Sequence, residues 1–194
     1  MRIVAVPQLR GVTVAGALGL AGLGLLTVAF PFFCVEHLDA ERSAAGYLWA
    51  AFAFGSMLGA LLLVRLQHRF PSESIVVVAI ATFGFLMLLW PIQDSLPLML
   101  AVVALAGVAD GPGLAATFAT RQRFVPPELH AQVFTTAAGI KVGAFSAGSA
   151  LAGPVVLAAG SAGALLIAAG VQFLAAGLGW LLMRGPAPQI AAVG

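Results

Sequence analysis

The stretch GVTVAGALGLAGLGLLTVAFPFF, residues Gly11–Phe33, decides how the rest of the chain is read. It runs for 23 residues without a charged side chain. As a helix rising 1.5 Å per residue it reaches about 34 Å, enough to cross a hydrocarbon layer about 30 Å thick. Arg2 and Arg10 precede it, as basic residues precede a secretory signal. A signal's apolar segment, however, runs only about 7–15 residues and ends on a small-x-small exit that is missing here. The stretch therefore reads as a membrane-spanning helix.

The pattern repeats along the chain. Apolar residues make up 61% of the 194, charged residues only 8%, and the mean hydropathy is +1.07. A water-soluble domain carries about one quarter charged residues, so this chain cannot clothe a soluble surface. Polar breaks divide it into six spans: Gly11–Phe33, Ser43–Val64, Ser74–Ile92, Leu96–Thr120, Ala131–Ala158 and Ala162–Met183. This predicts an all-α integral membrane domain over residues 1–194, a six-helix bundle touching the lipid bilayer. Short breaks imply that consecutive helices lie antiparallel as neighbours.

Charge placement orients the bundle. Arg2, Arg10, Arg65, Arg69, Arg121, Arg123 and Arg184 fall at one set of span ends. The opposite ends carry Arg42 among Glu36, Asp39 and Glu41, together with Asp94 and the Gly160-Ser161 turn. Cytoplasmic loops are enriched in Lys and Arg, so both termini are expected in the cytoplasm and the protein in the cell's inner (plasma) membrane. The formal charge of +2 is spread over helix ends without forming a patch, which excludes a nucleic-acid partner. Cys34 is the sole cysteine, so no internal disulfide forms. Trp49, Trp90 and Trp180 are read as interface markers, Trp180 the best of them.

Two charges fall inside spans: Asp110 in the fourth and Lys141 in the fifth. Each lies about ten residues, or roughly 15 Å, from its cytoplasmic helix end. An unpaired charge at such depth costs about 2.5–3.5 kcal/mol on an insertion scale, so pairing or a wet cavity is expected. Beside the acid, Asp110-Gly111-Pro112-Gly113 predicts a kinked or unwound segment, because proline lacks a donor and clashes with the preceding turn. Small residues for tight packing recur at Gly55-Ser56-Met57-Leu58-Gly59 in the second span and at Gly139, Gly143, Gly148 and Gly153 in the fifth. Gly55-Ser56-Met57-Leu58 and Gly148-Ser149-Ala150-Leu151 occupy matching places in the two three-helix halves, a hint of a 3+3 inverted repeat.

Two loops carry a family likeness. Val64-Arg65-Leu66-Gln67-His68-Arg69-Phe70 resembles the cytoplasmic loop motif G-R-L-x-D-R-F of the major facilitator superfamily, with Val64 and His68 in place of glycine and aspartate. Gln122-Arg123-Phe124-Val125-Pro126-Pro127-Glu128-Leu129, running on to Val133-Phe134, is similar to the segment leading into the penultimate helix of bacterial efflux-type members. The resemblance covers about Leu9 to Arg184 and is to the second, C-terminal six-helix half of such a carrier. It implies a secondary transporter, ion- or proton-coupled, exporting small organic molecules. By helix position it makes Asp110, Thr117, Lys141, Phe145 and Ser149 candidate cavity residues, Gly111, Pro112 and Gly113 a hinge, and Arg65, His68 and Arg69 the loop motif. It also implies a partner: the missing N-terminal half, a second copy, or another chain.

Other classes are weaker. No GxxxxGK[ST] loop for ATP occurs, no metal or cofactor site is indicated, and no G-x-S-x-G or H-E-x-x-H is present. His37, His68 and His130 lie at loops, which argues against an intramembrane enzyme. A complete six-helix exporter of another family, or a non-transporting scaffold, would share the same helices.

Overall fold

The computed structural model describes residues 6–63 and 70–184. The loop motif residues Arg65, His68 and Arg69 lie outside that range. Among the described residues all regular structure is helical, in five α-helices: α1 (Pro7–His37), α2 (Ala45–Leu63), α3 (Ser72–Met87), α4 (Leu96–Phe124) and α5 (His130–Met183); counted with the short turns that extend α2, α3 and α5, all five are long and apolar enough to span a membrane. Short 3-10 turns at Arg42–Ala44, Trp90–Ile92 and Pro127–Leu129 join them. The last of these turns uses Pro127 in its first residue, and α5 begins only at His130.

Helix α5 contains 54 residues and is not one rod. Gly160 within it has φ 74° and ψ 171°, a conformation that glycine tolerates and side-chain-bearing residues avoid. The two limbs, 130–159 and 161–183, meet α1 at one level. A side chain added at Gly148 would overlap the Ala21 carbonyl, while one added at the next residue of α1, Gly22, would press on the Ala168 carbonyl. The chain therefore doubles back at Gly160. The Ser161 hydroxyl donates to the Glu36 carboxylate at that end of the bundle.

Packing departs from the expected order of neighbours. Among the described residues α2 rests chiefly on α4 and touches α1 only lightly, while α1 lies between the two limbs of α5, and α3 bridges α4 to the second limb. The reason is in the glycines. Gly55 and Gly59 of α2 face the carbonyls of Ala104 and Val108, and Gly107 and Gly111 of α4 face those of Phe52 and Ser56. Two GxxxG faces thus interlock backbone to backbone, a contact that larger side chains would prevent. Of the recurring glycines in α5, only Gly148 is used in this way; Gly139, Gly143 and Gly153 face open space.

The expected unwound segment is absent, since α4 runs helically through Asp110-Gly111-Pro112-Gly113. Pro112 frees the carbonyl four residues earlier, Val108, and that carbonyl lies against Gly59 of α2. A neighbouring helix thus covers the gap in the hydrogen-bond ladder, as spanning helices allow. Helix α4 also continues past Thr120 to Phe124, so Arg121 belongs to the helix and not to a loop.

The ends of the bundle differ in charge. Leu9, Val125 and Val133 pack together, Arg10 donates to the Leu182 carbonyl and Arg123 pairs with Glu73 at 4.0 Å, which gathers Arg10, Arg121, Arg123 and Arg184 at one end. Arg184 stacks over the exposed Trp180 ring at 3.2 Å. Trp90, expected at an interface, is instead fully buried toward the other end, with the Phe30 ring 5.4 Å away and Phe83 6.1 Å away.

Replacing Gly107 by Leu should force α2 and α4 apart and cost more than the about 1–3 kcal/mol usual for over-packing. Gly143→Leu, facing open space, should be tolerated. Folded yield in detergent, read as monodisperse protein after membrane extraction, checks the pair; equal yields would contradict the interlocked seam.

Candidate functional site

The helix pairs leave a cavity of about 500 Å3 between them. Gly16, Gly19, Leu20 and Leu23 line it from α1, and Phe52, Ser56, Met57 and Ala60 from α2. Asp110, Gly113, Leu114 and Thr117 close the α4 side, and Lys141 enters from the first limb of α5. Val76, Ile80 and Phe83 of α3 and Gln172 of the second limb add a floor. The third helix and the last limb thus also reach the cavity. The volume falls in the range of small-molecule sites, and the lining has their character: largely apolar with a few polar groups.

Asp110 and Lys141 share this cavity, yet they form no ion pair within 4.0 Å. They sit on two helices that touch little, with their charged atoms more than 4.0 Å apart. The lysine crosses Gly16, whose missing side chain leaves room for its Cε and Nζ. Thr117 is buried and its hydroxyl donates to the Gly113 carbonyl at 2.8 Å, which leaves its oxygen lone pairs available as acceptors. Among the five candidate cavity residues, then, Asp110, Thr117 and Lys141 come together.

Phe145 and Ser149 do not join them. Both sit at the seam where α1 meets the first limb of α5, with the Phe145 carbonyl and Ser149 amide against Gly24. The Ser149 hydroxyl is buried there without a hydrogen-bond partner. The glycines flanking Pro112 also act at seams: Gly111 against Ser56 of α2 and Gly113 against Ala79 of α3.

Two polar residues were missed in the sequence. Gln172 is 1% exposed, and its Nε2 donates to the Gly19 carbonyl at 2.9 Å. It is the one polar side chain in the apolar run 162–183, and that isolation is the signal that could have found it. Arg121 is 4% exposed, with its Nε and one terminal nitrogen buried and unpartnered among the described residues. The spacing Asp110, Leu114, Thr117, Arg121 puts it one turn beyond Thr117 on the same side of α4, below the residues that line the cavity and over the Phe134 ring. It was hidden by being read as a loop charge.

No group of His, Cys, Asp and Glu suited to a metal ion occurs among the described residues. The arrangement is that of a binding cavity: apolar walls, separated opposite charges, and small polar groups between them. A family model described as transmembrane secretion effector matches residues 4–192. No curated protein matches the chain. An all-helical bundle of long apolar helices around a charged internal cavity, matched along nearly its whole length by that model, is a multi-pass membrane protein in contact with lipid, and the chain belongs to the transmembrane secretion effector family of major-facilitator-type transporters.

Proposed function

We propose that this chain forms one six-span half of a secondary carrier that exports small organic molecules, with Asp110 and Lys141 coupling substrate movement to a proton or ion gradient. The observation that carries the reading is the unpaired acid and base facing one cavity. Two separated charges inside a bilayer are costly, by about 2.5–3.5 kcal/mol each at the helix centre. A purely structural pair would be closed to recover that cost. An open pair can change partners: Asp110 can take and release a proton, and Lys141 can alternate between the acid and a bound group.

The reading of α5 as two spans rests on the reversal at Gly160, which makes six crossings. The seams support a 3+3 repeat. Gly55 joins the second helix to the fourth and Gly148 joins the fifth to the first, which is the same contact once the first three helices are exchanged with the last three. Basic residues at one end and acidic residues at the other support the reading that Arg10, Arg121, Arg123 and Arg184 face the cytoplasm. A half of this kind holds substrate against a second six-helix wall, supplied by further sequence, a second copy or another chain. Large exposed apolar side chains on the first limb of α5, such as Val142 and Leu151, are available to that wall or to lipid.

Flux tests the site. In cells stripped of their own exporters, the chain should lower retention of at least one dye in a panel of both charges, and an uncoupler should abolish the effect. Asp110→Asn and Lys141→Gln should each reduce it by about tenfold or more with membrane protein levels unchanged. Wild-type flux in both variants would contradict the assignment and favour a scaffold.

Labelling tests the topology. With Cys34 replaced by Ser, Asp94→Cys and Ala159→Cys should react with an impermeant maleimide on intact cells, and Glu128→Cys only after permeabilisation. Reaction of Glu128→Cys alone would invert the orientation. Protection of Ala159→Cys would remove the sixth span.

A further inference from the structure

Among the described residues, the charged side chains that line the cavity are one acid and one base, and they come from different helix pairs. Asp110 stands on α4, which is locked to α2 through Gly107 and Gly111. Lys141 stands on the first limb of α5, which is locked to α1 through Gly148, and its Cε and Nζ lie by Gly16 of α1. The charged atoms of the two stay more than 4.0 Å apart.

The other polar groups of the lining add no third charge. Thr117 uses its hydroxyl proton on the Gly113 carbonyl, and Gln172 uses an amide proton on the Gly19 carbonyl. The remaining walls are mostly apolar, with Leu20, Phe52, Phe83 and Leu114 among them. A ligand of single charge would answer only one of the two ions. The other would keep its desolvation cost and gain an apolar neighbour where water had been. A molecule with a cation at one end, an anion at the other and an apolar middle answers both, and it brings no net charge into the bilayer interior.

We propose that the cavity is a zwitterion site: the transported substrate is an organic molecule whose ammonium pairs with Asp110 and whose anionic group pairs with Lys141. Its apolar middle lies along Phe52 and Leu114, in a space of about 500 Å3. The inference rests on the transport reading and names the substrate class. Such a ligand bridges α4 to the first limb of α5, two helices that touch little without it, so its binding raises the stability of the bundle.

The test is binding without a gradient. The full chain in uncharged detergent micelles at neutral pH is titrated with three probes of one shape, and the thermal midpoint is followed at equal ionic strength. The probes are 4-(aminomethyl)benzoate as its zwitterion, 4-methylbenzoate and 4-methylbenzylammonium. The zwitterion should raise the midpoint saturably, with an apparent affinity about tenfold or more above that of either singly charged probe. Asp110→Asn should bring the zwitterion down to the level of 4-methylbenzoate, and Lys141→Gln to the level of 4-methylbenzylammonium. A merely structural role would move all three probes together. Asp110→Glu, which keeps the charge, should retain the preference. Should a variant fail to fold, the comparison of probes on the unaltered chain decides. A singly charged probe that binds as tightly as the zwitterion, no saturable shift from the zwitterion, or variants that weaken all three probes alike would overturn the proposal. Flux of dyes without a zwitterion preference overturns this site and leaves the transport reading standing; the preference without flux upholds the site and removes transport.

Discussion

Backbone-to-backbone contact between glycine faces is the constraint on which the rest of this structure depends. A bilayer gives helices no hydrophobic reason to associate, so close approach and dispersion must hold them. Gly55 and Gly59 meet Gly107 and Gly111 on one seam, and Gly148 meets α1 beside Gly24 on another. These contacts bring helices together that are not consecutive in the chain. Because each seam draws two helices tightly together, the space between the seams stays open, and that space is the cavity. Gly16 and Gly19 extend the same logic inward, where missing side chains admit Lys141 and the Gln172 amide.

The cavity then sets the electrostatics. Opposite charges that share a cavity without closing into an ion pair each keep part of their desolvation cost. Gln172, fixed by the Gly19 carbonyl, ties the floor to α1. At the far end Trp90, Phe30 and Phe83 form a dry aromatic plug, so the polar residues are confined toward the basic end. Within a transmembrane secretion effector such an asymmetric interior suits a substrate that is admitted from one side.

Much of the fold was legible because the bilayer imposes a strong sequence signature: long apolar runs, with charge only at their ends or at points of function. Asp110 and Lys141 stood out for that reason, and the structure puts both on one wall-lined cavity. Helix neighbours were not legible. Short loops say which helices are antiparallel but not which faces interlock, and the reciprocal pair Gly107 and Gly111 was overlooked beside a more conspicuous proline. Pro112 signalled a kink or an unwound segment; α4 stays helical through it, with the Val108 carbonyl against Gly59. Arg121 was assigned to a loop because four charged or polar residues follow the apolar run closely; only the helical stripe from Asp110 reveals it. Phe145 and Ser149 were placed in the cavity by helix position, yet neither lines it, and their backbone packs against Gly24 of α1.

The central claim is that a water-accessible, charged cavity lies inside this membrane bundle. Substituted-cysteine accessibility tests it most directly. In a chain with Cys34 replaced by Ser, cysteines at Ser56 and Leu114 should react with a small charged methanethiosulfonate reagent. A cysteine at Leu174, 63% exposed midway along the last limb of α5, should stay protected by lipid. Reaction at Ser56→Cys and Leu114→Cys with protection at Leu174→Cys is the predicted result. Protection at all three positions would mean a dry, closed interior and would contradict the account.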